Sequence, residues 1–551
     1  MQQALKIVRG FASPAILLIA VWCVILIGVA VGPIDYPQQP SMAVLALVGT
    51  GVLLFVSGSR AGAWCFAVWL RRRPNLRAAP VGMLNVAVAT SSLLGLAGVA
   101  LIALDRAVLS GNGGFAELLR CAPALVDFIE IKRTPLLYVG YLTFSFGFAS
   151  LVLFLLRGEE IRGWVAILAQ LSIFSPVGYA ILYSGRMPIL FIIVLIVGVV
   201  LVRLAEGRRP LPRGHHLLVK MVVVFLLFGA YSSAMWSSRQ AFCVQMSGLI
   251  VQLQQRMNER DLARARIVQP RPTEATNPAS PGAQRSQPAG GAGIDGERKT
   301  STAPSMPPAA DTRNSADSVS TADLNKMVDE TKATPGSAQQ GYSPDVVTLL
   351  AVMQEAWHVR PRGYVLSAIE SGRLSPGVAV SLLSTYFYLT HGVRIMDMTW
   401  RARAQFSPQW GTYEIGIFSP ILRVFFPQNQ LLASMNSQLR SAGLFGFFPT
   451  VWAAAFIDFG LAGAVIYVLI WGFAAGWSAY GARHSALATP PLLLTFALAS
   501  ILLSPVQGPL GIANSAMVLV SMVIVGMAVD LPGLRAGYGR QPRQLKAGTP
   551  A

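Results

Sequence analysis

The chain has 551 residues, a mean hydropathy of +0.53 and only 13% charged residues, whereas a soluble domain carries about 25% charged residues. This composition excludes an ordinary soluble protein and indicates a membrane protein. The formal charge of +19 would suit a nucleic-acid-binding protein, but the basic residues are concentrated in short loops between apolar stretches. We therefore expect no nucleic acid among the partners.

About ten apolar stretches approach the roughly 20 residues that a membrane-crossing helix needs. They are predicted to be helices because lipid offers no hydrogen-bond partner for a free backbone amide. The predicted spans are 14–33, 41–58, 81–104, 136–156, 163–183, 188–203, 219–236, 461–480, 489–506 and 513–530. The first lacks a convincing cleavage site and is predicted to be an uncleaved anchor. Two further apolar segments, 376–391 and 417–426, are predicted to be buried or re-entrant helices.

Basic residues alternate from loop to loop along the chain. The loops after the second and sixth spans and the C-terminal tail are rich in arginine, whereas the loops after the first and third spans have little net charge. The positive-inside rule then places both termini in the cytoplasm and the long segment after the seventh span outside. Cys121 and Cys243 would both lie outside, where a disulfide is conceivable, but nothing in the sequence brings them together.

Composition divides the chain into six parts. These are an N-terminal membrane domain of about seven spans (1–236), an outer amphipathic segment (237–268), a Pro/Ala/Ser-rich insert (269–341), an outer loop domain (342–447), a C-terminal membrane domain of about three spans (448–532) and a basic tail (533–551). The insert cannot bury enough apolar surface to offset its ordering entropy, so we predict that it is disordered. Its formal GxGxxG, Gly291–Gly296, lacks a preceding strand, and we expect no dinucleotide site there.

Three charged residues stand where predicted spans reach the outer surface. Arg186 occupies a tight turn between two spans, and Arg239 follows the seventh span. Asp458 precedes a segment that already supplies a full crossing, so we expect it at the outer mouth and not at mid-membrane. Each also has an ordinary structural interpretation, as a turn anchor, an interfacial snorkelling residue and a helix cap, respectively.

A second group of charged residues lies in the outer loop domain. If 388–403 is helical, His391, Arg394 and Asp397 share a face, with Arg401 four residues further on. Glu414 and Arg423 follow in the same domain. His391 also has an ordinary interpretation as a polar loop residue.

Arginines at an outer membrane mouth suit lipid-linked diphosphates, because the guanidinium group pairs bidentately with phosphate oxygens. They would stabilise the charge that develops when a sugar leaves a diphosphate, while a carboxylate or histidine takes the proton of an attacking hydroxyl. The predicted catalytic residues are Arg186, Arg239, His391 and Asp458, and the predicted substrate-binding residues are Arg394, Arg401, Glu414 and Arg423. No HExxH, Cys/His metal spacing or Walker loop is present, so we expect no metal and no cofactor.

Three passages occur in a fixed order relative to the spans. They are Ser184–Arg186 before an apolar span, Tyr388–Asp397 continuing to Gly411–Tyr413 and Phe418–Arg423, and Phe456–Gly463 with its DFGxxG element before a span. Together they resemble the oligosaccharide repeat-unit polymerases, the O-antigen polymerase (Wzy-type) family of bacterial envelopes. The resemblance covers roughly 130–530, and the insert and His391 depart from the family pattern.

The resemblance implies an all-α polytopic membrane protein of about 10–12 transmembrane helices, with a GT-C-like scaffold and one large periplasmic loop domain. It also implies transfer of a growing glycan from undecaprenyl diphosphate to a new lipid-linked repeat unit at the outer face of the bacterial inner membrane. Implied partners are these lipid-linked oligosaccharides, membrane lipids, a repeat-unit flippase and a chain-length regulator. The alternatives are an O-antigen ligase, which uses the same donor, and a transporter or flippase, which needs ionisable residues buried within spans.

Overall fold

The computed structural model describes most of the apolar part of the chain. The described residues are 12–37, 39–72, 80–109, 134–161, 163–183, 187–212, 359–415, 431–444, 449–511 and 515–538, with isolated positions at 10, 223, 226, 227, 230, 347, 350, 353, 354, 418 and 426. They belong to one compact unit formed by 1–251 and 343–551. The predicted insert, both outer cysteines and most of the predicted seventh span lie outside the described residues.

The first half of the chain contributes apolar helices. They are α1 (Pro14–Val31), α2 (Met42–Arg71), α3 (Val81–Leu104), α4 (Pro135–Thr143), α5 (Phe146–Arg157), α6 (Trp164–Leu171), α7 (Phe174–Leu182) and α8 (Met187–Ala205). A π-helical turn, Asp105–Leu109, continues α3. Pro14 and Pro135 stand at the starts of α1 and α4, where proline is favoured because the first amide has no intrahelical partner.

The second half contributes the remaining described elements. These are α9 (Gly363–Glu370), α10 (Pro376–Arg401), a 3-10 turn (Arg403–Gln405), α11 (Leu431–Ser441), α12 (Val451–His484), α13 (Thr489–Leu503) and α14 (Ser515–Tyr538). Two short strands, β1 (Ile34–Asp35) and β2 (Arg360–Pro361), pair antiparallel with Ile34 opposite Pro361. This pairing ties the α1–α2 connection to the segment that precedes α9.

Eight stretches of the described residues are long and apolar enough to cross a membrane. They are α1, α2, α3, α4 with α5, α6 with α7, α8, α12 and the Ser515–Pro532 part of α14, and α13 is a shorter apolar helix. The prediction of an all-α, multi-pass membrane protein is therefore confirmed. The segment predicted as a short buried or re-entrant helix at 376–391 is the first part of the longer α10.

Close packing of α2 against α12 depends on glycines. A Cβ atom at Gly472 would lie 2.3 Å from the Phe55 carbonyl oxygen, and one at Gly476 would lie 1.8 Å from the Ser59 carbonyl oxygen. Any larger residue would force the two backbones apart. The small-xxx-small pattern of the sequence predicts such helix packing, and this prediction is confirmed.

Arg203, near the end of α8, is a basic residue inside the helical body. Its side chain is fully buried and donates to the carbonyl oxygens of Leu155 (3.0 Å), Leu156 (2.8 Å) and Arg209 (2.8 Å). It also forms an ion pair with Glu159. Because a buried guanidinium must have partners for its charge and its donors, Arg203 joins the ends of α5 and α8.

Candidate functional site

The polar residues of interest meet at one end of the helical body, which we call the site end. It is formed by the α1–α2 connection, α10, the loop Gln409–Glu414, the start of α12 and the α13–α14 connection. Backbone hydrogen bonds join these parts: the Arg362 amide donates to the Pro33 carbonyl (2.9 Å), and the Val451 amide donates to the Ser504 carbonyl (3.0 Å).

One face of α10 packs on the α1–α2 connection. The Tyr386 hydroxyl donates to the Gly28 carbonyl, and the hydroxyl groups of Tyr36 and Thr390 are 2.5 Å apart. Further along the same face, Asp397 accepts from the Ser41 amide (3.4 Å) and pairs with Arg401 (2.7 Å). Spacings of four and seven residues place these α10 side chains on one face.

A small cleft, which we call the polar cleft after the side chains around it, opens on this face of α10. Its lining is Val29, Tyr36, Pro40, Thr390, Arg394 and Asp397. Burial lowers the pKa of the half-buried Arg394 from its ordinary value, but an arginine remains charged at neutral pH. Burial raises the pKa of Tyr36, so its phenol stays protonated. The Thr390 hydroxyl donates to the Tyr386 carbonyl oxygen (2.8 Å) and accepts from the Tyr36 hydroxyl. The cleft therefore offers one cation, Arg394, beside the Asp397 carboxylate that pairs with Arg401, and a guanidinium group suits an anion.

His391 lies on α10 but does not line this polar cleft. Its side chain is 2% exposed and stacks on Phe387 with ring centroids 4.9 Å apart. Its Nδ1 lies 2.9 Å from the Phe387 carbonyl oxygen, an acceptor that favours the tautomer with a proton on Nδ1. The predicted shared face of His391 with Arg394 and Asp397 is thus only partly realised.

Asp458 anchors the loop Gln409–Glu414. Its side chain is fully buried, and its two carboxylate oxygens accept from the backbone amides of Tyr413 (3.0 Å) and Glu414 (2.5 Å). Its carbonyl oxygen accepts from the amides of Gln409 (2.8 Å) and Trp410 (2.9 Å). One residue therefore holds both ends of the loop. These contacts favour a positioning role, and its predicted catalytic role stays a prediction.

Gly460 produces the bend that brings Asp458 to this loop. Its φ of 64° and ψ of −172° interrupt the helical geometry of α12, a combination that only glycine adopts readily. A Cβ atom there would meet nothing within 4 Å, so the requirement for glycine is one of backbone conformation and not of space.

We expect Gly460→Ala to destabilise the protein by ~1–3 kcal/mol, the usual cost of a strained backbone, and to release the Gln409–Glu414 loop. Thermal unfolding in detergent and limited proteolysis of the loop measure the two effects. Gly49→Ala is the control, because a Cβ atom at this α2 position also meets nothing within 4 Å but the backbone is helical. Equal melting temperatures and cleavage rates for the two variants would contradict the role of the bend.

Glu414 is a buried carboxyl group without a cationic partner among the described residues. It is 1% exposed, and its Oε1 accepts from the Tyr467 hydroxyl (2.6 Å) and the Leu510 amide (3.3 Å). Gly508 makes room for it, since a Cβ atom there would lie 2.0 Å from Oε1. Within the described part of the chain, Oε2 makes no hydrogen bond.

The surroundings of Glu414 change its acidity. Burial raises the pKa of its carboxyl group to about 8, the Asp458 carboxylate acts in the same direction, and the hydrogen bonds from Tyr467 and Leu510 oppose the change. A group with this pKa exchanges a proton near neutral pH, as general acids and bases do.

An apolar cleft of about 70 Å³ lies between α2, α10 and α12. Its lining includes Leu54, Met396, Trp400, Trp452, Phe456 and Leu461. Met396 directly precedes Asp397, and Trp400 directly precedes Arg401. The apolar cleft therefore lies on the face of α10 next to the polar face.

The structure brings together some of the predicted site residues. Arg394 lies in the polar cleft beside Asp397, which pairs with Arg401, and Glu414 and Asp458 share one loop. Arg186, Arg239 and Arg423 lie outside the described residues. Sequence reasoning missed Tyr36 and Tyr467, because neither stands in a motif. Tyr36 contacts Thr390, which is 354 residues away, and Tyr467 contacts Glu414, which is 53 residues away.

Comparison with known proteins gave no relative: no family model, no curated protein and no solved structure matches the chain.

Proposed function

We propose that the protein is a membrane glycosyltransferase that polymerises lipid-linked oligosaccharide repeat units of a bacterial surface polysaccharide. The growing glycan leaves undecaprenyl diphosphate and joins a fresh lipid-linked repeat unit at the outer face of the inner membrane. Both termini are cytoplasmic in this proposal, the site end and the large loop domain face the periplasm, and the helical body is a GT-C-like scaffold. A flippase supplies the repeat units, and a chain-length regulator acts on the product.

The observation that carries the proposal is the arrangement of two unlike polar sites around α10. Arg394 faces the polar cleft on one side. The next residue, Ile395, packs in an apolar cluster with Ile457. Ile457 precedes Asp458, whose carboxylate accepts from the backbone amide of Glu414. A cationic cleft and a titratable carboxyl group at the same end of the helical body match the two needs of this reaction, which are a leaving diphosphate and an attacking hydroxyl.

The charges in the polar cleft fit the donor. When the bond between the donor sugar C1 and the diphosphate oxygen breaks, negative charge grows on the diphosphate. Arg394 stabilises that charge in a partly dehydrated cleft. We assign Arg186 and Arg239 to the same diphosphate and keep Arg401 and Arg423 as further substrate-binding residues, as the sequence predicts.

Glu414 takes the proton of the attacking acceptor hydroxyl in this proposal. The acceptor hydroxyl oxygen forms the new bond to C1, and its proton passes to the Glu414 carboxylate, while undecaprenyl diphosphate departs. We prefer Glu414 to Asp458 because both oxygens of Asp458 already accept backbone amides. We prefer it to His391 because the Nδ1 of that ring already lies 2.9 Å from the Phe387 carbonyl oxygen and the ring stacks on Phe387.

The apolar cleft supports a lipid-linked substrate. A hydrocarbon chain lying between α2, α10 and α12 would bury apolar surface against side chains such as Trp400 and Phe456. This position keeps the lipid beside the α10 residues that face its diphosphate.

Glycan analysis of a deletion strain tests the proposal. Loss of the gene should leave single repeat units on the lipid carrier or core and remove long chains, and the parental gene should restore them. An O-antigen ligase would instead leave long chains on the carrier with none on the core. A flippase would leave repeat units facing the cytoplasm.

A further inference from the structure

The loop Gln409–Glu414 presents one large side chain outward. Trp410 is 69% exposed, and its φ of 54° lies in the left-handed region, where a bulky residue is an outlier. Such a conformation persists only where the surrounding structure holds it, and it concentrates at functional sites.

Several contacts hold the Trp410 backbone. Its amide and that of Gln409 both donate to the Asp458 carbonyl oxygen. The Gln409 side chain is 1% exposed and donates to the Ser407 carbonyl oxygen (2.6 Å) and to Gln438 Oε1 (3.2 Å). The indole ring therefore stands on a rigid base while making no ring contact with the described aromatic residues.

The surface around Trp410 offers polar side chains and one further ring. Gln405 and Ser407 are exposed on the segment that leads to it, and Gln438 lies beside Ser407. The exposed Phe418 ring approaches Gly411, the residue after Trp410. In contrast, the exposed Trp64 lies on α2 among apolar neighbours in a membrane-crossing stretch. An exposed indole with hydrogen-bonding neighbours suits a ligand that is apolar on one face and polar at its edge.

We infer that Trp410 is the stacking platform for a sugar ring of the acceptor glycan, in the loop that also carries Glu414. The C–H face of a pyranose is apolar and slightly positive, which complements the electron-rich face of indole, while its hydroxyl groups reach the flanking polar side chains. The inference rests on the proposed function, since it names the part of the substrate that this site holds. It makes Trp410 a binding residue and leaves proton transfer to Glu414.

Matched substitutions separate stacking from other roles. Trp410→Phe and Trp410→Leu carry the same backbone strain, but only phenylalanine keeps an aromatic face. We expect Trp410→Leu to raise the KM for the lipid-linked acceptor about tenfold with little change in kcat, and Trp410→Phe to raise it less than about threefold. Equal KM values for both variants and the parent would overturn the inference.

Hydroxyl-radical footprinting tests binding without relying on activity. The parent protein in lipid nanodiscs is oxidised with and without a water-soluble oligosaccharide of the host surface polysaccharide, and Trp64 serves as the control. We expect the sugar to protect Trp410 and leave Trp64 unchanged. If lipid already protects Trp410 before the sugar is added, Trp410 is a membrane-interface anchor and the inference is overturned. The inference is also overturned if the sugar gives no protection.

The two experiments distinguish the inference from the proposed function. Sugar protection without any polymer formation would leave the glycan site standing and remove the polymerase. Polymer formation with a parental KM in Trp410→Leu would leave the polymerase standing and remove the glycan site.

Discussion

Glu414→Gln should reduce polymerisation by at least ~100-fold, the usual range for loss of a general base, with normal amounts of protein in the membrane. The amide keeps an oxygen that can accept from the Tyr467 hydroxyl and the Leu510 amide, but it cannot take a proton from the acceptor. Single-turnover rates on lipid-linked repeat units measure the effect. Glu370→Gln, at an exposed carboxyl group in α9, is the control.

The pH dependence of the polymerisation rate is a second test of Glu414 as the proposed base. Since the ionised form is the base and burial raises the pKa to about 8, the parental rate should rise between about pH 6 and pH 9. An ordinary glutamate, with a pKa of 4.5, would give a flat profile there. A flat parental profile together with an active Glu414→Gln variant would exclude Glu414 as the base.

Ionisation of Glu414 should also lower the stability of the folded protein. The pKa of Glu414 is raised on folding, so its contribution to stability is complete below about pH 4.5 and is lost as the pH rises through about 8. Glu414→Gln removes the ionisable group and, with it, the loss of stability at high pH. The variant should therefore unfold at a higher temperature than the parent at pH 9, which separates a chemical defect from a folding defect.

Arg394→Lys should reduce polymerisation by about 100-fold, a typical loss when a donor to developing charge is removed. Lysine keeps the positive charge but loses the planar pair of donors that matches a phosphate group. Arg394 is half-buried in a cleft that Tyr36 and Thr390 also line, which leaves a lysine little freedom to recover that geometry.

Arg403→Lys is the matched control for Arg394→Lys. Arg403 is exposed just beyond α10 and lies over the ring of Trp400, so lysine should be tolerated with little loss of activity. Parental rates for Arg394→Lys at normal membrane levels would show that the polar cleft does not hold the diphosphate.

Hydropathy was sufficient to predict most of the fold. Long apolar stretches predict helices because lipid forces backbone hydrogen bonds to be internal, and eight such stretches are present in the described residues. The close approach of α2 and α12 at Gly476 was also predictable from residue size. The buried Arg203 was not, because sequence alone does not reveal which carbonyl groups lie near a basic residue.

The candidate site was only partly predictable. Helical spacing placed Arg394 and Asp397 on one face of α10, but it could not show that His391 turns toward Phe387. Glu414 meets Tyr467 and Leu510 only through folding, since they lie 53 and 96 residues away. The role that we propose for it as a proton acceptor depends on burial, which no local pattern reports.

Reconstitution of the purified protein tests the central claim most directly. The protein in lipid vesicles is supplied with undecaprenyl-diphosphate-linked repeat units alone, and the glycans are separated by size. The account predicts a ladder of polymers with release of undecaprenyl diphosphate in the parent, and neither in Glu414→Gln. Absence of polymer from a folded parent protein, or transfer only after a lipid A-core acceptor is added, would contradict it.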